Sequence, residues 1–178
     1  MIPEIKKILY ATDLSKNSNY AFFYAVDMAN RHNAMIFILH AIEPMHLSDF
    51  FFSEGSFVNV EDMMKKLKEM DQKPKIERIQ EGIKRNLDEF CKKVENQAGL
   101  ACVDLVSKVL VPIGHPAEEI LKAAEDEGCD AIILGTHGEG FLRHTFLGSL
   151  AGSVLERTRK PVFIIPLPSE KTTLDLDI

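Results

Sequence analysis

Four glycines fall within the fifteen residues 135–149, GTHGEGFLRHTFLGS, directly after the apolar run Ala131-Ile132-Ile133-Leu134. Glycine at this density costs backbone entropy on folding, so it needs a compensating use. One use is chemical: without a Cβ, backbone N–H groups can approach an anion closely and form a concave nest of donors. Gly148-Ser149 opens a helical pattern, and a helix N-terminus adds unpaired N–H donors and a partial positive charge. The Ser149 hydroxyl either donates to a phosphate oxygen or caps the helix. Gly135 and Gly138 sit at the end of a strand pattern, so two groups of donors would flank one crevice. The bland use is equally physical, since glycines end strands and begin loops. Two familiar phosphate motifs fail on inspection. Gly135 and Gly140 have the P-loop spacing, but Phe141 stands where the lysine belongs. The dinucleotide fingerprint needs GxGxxG, and the spacing here is GxxGxG, after the fourth strand pattern.

The elements that must position these glycines alternate along the chain. Residues 5–11 (IKKILYA) read as a buried strand, after which Asp13 and Ser15 can cap a helix. In that helix Tyr20, Phe23, Tyr24, Asp27, Met28 and Arg31 share a face, and Ala21, Ala25 and Ala29 form a small-residue stripe. Residues 35–42 (MIFILHAI) form a second strand, apolar throughout, as expected when both faces are covered; Pro44 ends it. Residues 45–75 are the least regular part, and Phe50, Phe51 and Phe52 must pack somewhere, as a local cluster or as a lid. Ile76, Ile79, Ile83, Leu87, Phe90 and Val94 then recur at helical spacing.

Residues 103–111 predict a third strand. A helix follows, with Pro116 suited to its first position, Glu118 and Glu119 to its positive end, and Gly128 as its stop. Residues 130–134 are a fourth strand, 148–160 a helix, and 161–165 (PVFII) a fifth strand. This alternation predicts an α/β fold: a single doubly wound domain over residues 1–168, with a parallel sheet, helices on both faces and an insertion at 45–75. The tail 169–178 is polar, acidic and expected to be flexible. In such sheets ligands bind beyond the carboxyl ends of the strands, where the strand order reverses.

Composition narrows the function classes. A chain of 178 residues can bury a core without disulfides or a metal. Cys91, Cys102 and Cys129 are odd in number and lack CxxC spacing, which predicts reduced, buried thiols and a cytoplasmic setting. The net charge of −6 argues against a nucleic-acid surface. No apolar run approaches the length of a membrane span, and the N-terminus lacks the pattern of a secretory signal.

The spacing Gly135-x2-Gly138-x9-Gly148-Ser149 resembles the nucleotide-binding motif of universal stress proteins. Four further segments resemble that family in the right order. They are KKILYATDLS (first strand and turn), FILHAI (second strand), GHPAEEILKAAEDEGCDAIILGTHG (third-helix segment and fourth strand) and LGSLAGSVLERTRKPVFIIP (last helix and strand). The resemblance covers nearly all of the chain except about 45–80, where this chain is longer.

It implies a five-stranded sheet of order 3-2-1-4-5, a homodimer, and, in the ATP-binding branch, adenine and ribose near the first two strands. By resemblance Ala11 borders the adenine, Ala41 offers it backbone groups, and Leu134 packs on the base. Asp13 contacts the ribose or helps hold a metal; the plain alternative is a turn or cap aspartate. Gly135, Gly138, Gly148 and Ser149 take the phosphates, with Thr136, His137 and Leu150 lining the loop. Arg143 reaches the terminal phosphate, or is a solvated loop residue. His40 reads as a packed histidine rather than a ligand, and no histidines have the spacing of a metal cluster.

Glu139 stands where the family often has a basic residue. A carboxylate there opposes a triphosphate, so ADP or AMP competes with ATP. Mg or Mn is the accompanying cation that ATP would bring.

Nothing resembles a hydrolytic machine, so any ATP hydrolysis is expected to be slow. Two rivals are a nucleotide-free dimeric scaffold of the same family, and an ATP-pyrophosphatase-type enzyme. The latter needs a glycine-serine phosphate loop after the first strand, where this chain has Ala11-Thr12-Asp13-Leu14-Ser15. The expected role is that of a regulatory or stress-response module. The dimer is expected to form through the last strand, where Val162, Phe163 and Ile164 lie between two prolines that cannot donate to a ladder.

Overall fold

Residues 3–15, 18–43, 73–99, 102–136 and 148–166 are described in the computed structural model of the protein. Strand β1 (Lys7–Ala11) leads into helix α1 (Ser18–His32) and strand β2 (Met35–Leu39). Helix α2 (Lys73–Ala98) precedes a single 3-10 turn, Val103–Leu105, and strand β3 (Val106–Leu110). Helix α3 (Pro116–Asp126), strand β4 (Ala131–Gly135), helix α4 (Ser149–Arg157) and strand β5 (Val162–Ile165) complete the order. The five strands form one sheet of order β3-β2-β1-β4-β5, and every pairing is parallel.

The two faces of this sheet are separate apolar layers. Successive strand side chains point to opposite faces. Ile8, Tyr10, Ile36, Ile38 and Ile133 therefore pack with α1 and α2, whereas Leu9, Ala11, Phe37, Leu39, Ile132 and Leu134 pack with α3 and α4. This is why β1, β2 and β4 read as unbroken apolar runs. Full burial of one such aliphatic side chain contributes about 1.5–3 kcal/mol. In α1 the stripe Ala21, Ala25 and Ala29 is fully buried, so the helix lies close to the sheet. In α2 the inward residues are Ile79, Ile83, Leu87 and Phe90, as the helical spacing predicts.

The fold also explains where its binding crevice opens. From β1 through β2 to β3 the chain steps one way across the sheet, using α1 and α2. It then returns to β4 and steps the other way to β5, using α3 and α4. A constant crossover hand puts helices of opposite stepping direction on opposite faces. The chain thus leaves β1 toward one face and β4 toward the other, which opens a crevice between the two connections at the carboxyl ends of these paired strands.

Several element bounds differ from the sequence expectation. The second strand ends at Leu39 rather than Ile42, although His40 and Ile42 still donate backbone bonds to Leu110 O (3.0 Å) and Pro112 O (2.9 Å). The third strand begins at Val106, because Leu105 N–H bonds back to Cys102 O at 3.1 Å and closes a tight turn. The last helix stops at Arg157, short of Pro161. Gly128 ends α3 as expected, at φ +64, a left-handed conformation that glycine adopts without penalty.

The cysteine expectation needs a larger correction. Cys91 and Cys102 are joined by a disulfide, with Cα atoms 5.1 Å apart. The apolar stripe of α2 lays that helix against the sheet beside β3 and delivers Cys91 to the residue that precedes the 3-10 turn. Only Cys129 is a free thiol, and its burial pushes its pKa up to about 11, which keeps it unreactive. The residues 45–72, the tail 169–178, and with them the expectations for Phe50, Phe51 and Phe52, lie outside the described residues.

Candidate functional site

The β1–β4 ladder pairs Ile8 with Ala131, Leu9 with Ile132 and Tyr10 with Ile133, and it extends no further. Beyond it stand Ala11, Thr12 and Asp13 on one side, and Leu134, Gly135 and Thr136 on the other. Ala11 (8% exposed) and Leu134 (2%) belong to the same apolar cluster, and Ala41 packs against it. These three side chains make a small apolar floor at the carboxyl end of the sheet. Thr136 ties the far wall together: its N–H donates to Ile165 O at 2.9 Å, and its carbonyl accepts the Gly148 N–H at 2.9 Å. The second bond brings the start of α4 to the end of β4, although eleven residues separate them in the chain.

Gly148 is the N-cap of α4, with φ −63 and ψ 153. Any residue adopts that extended conformation, so the backbone itself does not require glycine here. What glycine supplies is the missing Cβ at the mouth of a helix N-terminus. Ser149 and Leu150 follow in the first turn, and both are exposed. His137, Gly138 and Arg143 fall in residues 137–147, outside the described residues.

The turn after β1 is densely bonded. The Thr12 hydroxyl donates to Ser18 Oγ at 2.9 Å and accepts the Leu14 N–H at 3.0 Å. Ser18 Oγ donates onward to Ser15 O at 2.6 Å, and Asp13 Oδ1 accepts the Ser15 N–H at 3.0 Å. Asp13 is exposed, while Ser15 and Ser18 are buried. Below them Tyr10 donates its hydroxyl to Ser18 O at 2.7 Å, and burial pushes its pKa up to about 12. Ser15 meets the cap expectation by accepting the Ser18 N–H at 3.2 Å, whereas Asp13 holds the turn rather than the helix.

His40 Nδ1 lies 3.1 Å from Thr12 O. A carbonyl has no hydrogen to give, so Nδ1 is the donor. The ring therefore links the turn after β1 to the strand end that carries Ala41. Sequence reasoning missed Thr12, Ser18 and His40 as parts of this site. Its one available signal was a threonine within the polar turn Thr12-Asp13-Leu14-Ser15, a pattern that fits a side-chain-closed turn.

Gly114 donates its N–H to Ile42 O at 3.0 Å and receives the Glu119 side chain so closely that a Cβ there would meet its carboxylate. Among the described residues, no group of three or more His, Cys, Asp or Glu side chains is placed to hold a metal ion. No helix among them is long and apolar enough to cross a membrane.

The model of the universal stress protein family matches residues 4–166. The chain belongs to that family. Universal stress protein MJ0577 of Methanocaldococcus jannaschii is 30% identical over 162 residues, which are 90% of this chain and 94% of that protein. A solved structure of MJ0577 has a TM-score of 0.63 at 26% identity and covers 94% of this chain and 99% of its own. The universal stress protein UspA of Lactobacillus plantarum shares the fold, with a TM-score of 0.64 at 17% identity over 92% of this chain and 99% of its own. A universal stress protein solved in complex with cAMP does so too, with a TM-score of 0.53 at 16% identity over 92% of this chain and 98% of its own. The five-stranded parallel sheet of this chain is thus the universal stress protein fold.

Proposed function

We propose that this universal stress protein binds an adenine nucleotide in the β1–β4 crevice. ATP is the leading ligand, and ADP and AMP are its competitors. The observation that carries the reading is the Thr136–Gly148 bond, which sets a Cβ-free helix N-terminus beside the strand end at the point where the sheet order reverses. The glycine spacing of the chain and a relative solved with cAMP support it.

In this reading Ala11, Ala41 and Leu134 form the adenine wall, and Asp13 addresses the ribose. Gly135, Gly138, Gly148 and Ser149 receive the phosphates, Thr136, His137 and Leu150 line the loop, and Arg143 meets the terminal phosphate. A Mg or Mn ion would arrive with ATP as part of the ligand. We assign the chain a binding role with at most slow hydrolysis, because its sequence has Phe141 where a P-loop would carry its lysine. It would act as a homodimeric regulatory or stress-response module. We place it in the cytoplasm, and the Cys91–Cys102 bond is the observation that weighs against a strongly reducing compartment.

Thermal unfolding with nucleotide tests the site. ATP at 100 times its Kd stabilises a binding-competent fold by about 2.7 kcal/mol. For a domain of this size that shifts Tm by about 5–10 °C. Gly148→Val suits the local φ and ψ, so it tests the space rather than the backbone. The variant should fold and lose the shift. A retained shift would remove the α4 N-terminus from the site.

A further inference from the structure

We propose that Thr12 is a positioning residue: its side-chain hydroxyl sets the conformation of the β1 turn and so aims the Asp13 carboxylate at the ribose of the bound nucleotide. This inference rests on the nucleotide reading above. Three observations converge on it. Asp13 is exposed and uses one acceptor site of its carboxylate on Ser15 N–H, which leaves further acceptor capacity for a ligand.

Leu14, the next residue, sits at φ +65. That is a left-handed conformation which a leucine adopts at a cost. It is also 48% exposed, so no apolar burial offsets the cost. What holds it is the hydrogen bond from Leu14 N–H to the Thr12 hydroxyl.

The same hydroxyl is itself anchored, because it donates to Ser18 Oγ, which donates to Ser15 O. A chain of this kind strengthens each member and gives the hydroxyl one orientation. The Thr12 carbonyl is pinned separately by His40 Nδ1. Asp13 therefore lies between a residue bonded at both its side chain and its carbonyl and a residue held in an uncommon conformation. Only a group with both a donor and an acceptor at this position can make both side-chain bonds. Valine matches threonine in shape and makes neither.

Isothermal titration with ATP and with 2′,3′-dideoxy-ATP reads the effect, because only ATP offers hydroxyls to Asp13. Thr12→Val should weaken ATP about tenfold, the scale of one lost charged hydrogen bond, and weaken the dideoxy nucleotide by less than about twofold. Thr12→Ser should restore both affinities. Asp13→Asn should reproduce the selective loss, and Thr12→Val should add nothing further in that background. Ser18→Ala removes the anchor alone and should give the same selectivity at a smaller amplitude, which keeps the test open if the valine variant unfolds.

Equal loss of both nucleotides in Thr12→Val, or no loss of ATP, overturns the inference. A wild-type protein that binds neither nucleotide overturns the nucleotide reading instead.

Discussion

Reducing the Cys91–Cys102 bond should destabilise the protein by an amount set by the loop it closes. The cysteines are 11 residues apart in sequence, and the chain-entropy relation for such a loop gives about 2.8 kcal/mol at room temperature. For a domain of this size the corresponding fall in Tm is about 6–11 °C. The bond joins α2 to the approach to β3, an edge strand, so its loss should loosen that edge first. Guanidinium unfolding of the same protein with and without a phosphine reductant measures the difference without changing any side chain. Cys129 is free in either state, and the variant carrying both Cys91→Ala and Cys102→Ala should be insensitive to the reductant. Thiol titration of the denatured, unreduced protein should find one reactive group per chain. Three groups would refute the bond, and one group with unchanged stability on reduction would refute the loop-closure reasoning.

Alkaline unfolding should expose Tyr10. Its pKa is raised by burial from an ordinary value near 10 to about 12, so the neutral phenol stabilises the fold fully below pH 10 and loses that effect as pH rises through 12. The stability advantage of wild type over Tyr10→Phe should therefore shrink by about 2 kcal/mol between pH 8 and 11.5, measured by denaturant unfolding; a constant difference would show that Tyr10 titrates normally. We propose the β5 edge as the dimer contact: Val162, Phe163 and Ile164 are half-buried in the single chain, and a second copy would cover them. Ile164→Lys and Phe163→Asp should sediment as monomers at micromolar concentration, and two dimeric variants would place the interface elsewhere. Leu14→Val puts a β-branched residue at φ +65 and should cost about 1–2 kcal/mol in thermal or chemical unfolding, whereas an equal or higher stability would mean that the turn is not strained.

Local pattern alone determined the alternation of strands and helices, the stripe of Ala21, Ala25 and Ala29, the stop at Gly128 and the pairing of a glycine-rich segment with a helix start. Each of these depends on neighbours within a turn or a strand, where period and backbone freedom decide the outcome. The strand order came from resemblance, and the tertiary structure bears it out. What only the folded chain decided are contacts between residues remote in sequence. Cys91 and Cys102 looked like separate thiols because neither knows that the α2 stripe lays them side by side. His40 looked like a packed histidine, yet it bonds a carbonyl 28 residues away because β1 and β2 end together. The Thr12 hydroxyl gained its role from Ser18 in the following helix, and Gly148 from the Thr136 carbonyl, twelve positions earlier in the chain. Periodicity carries the direction in which a side chain points, but not which partner the sheet's crossovers bring to it.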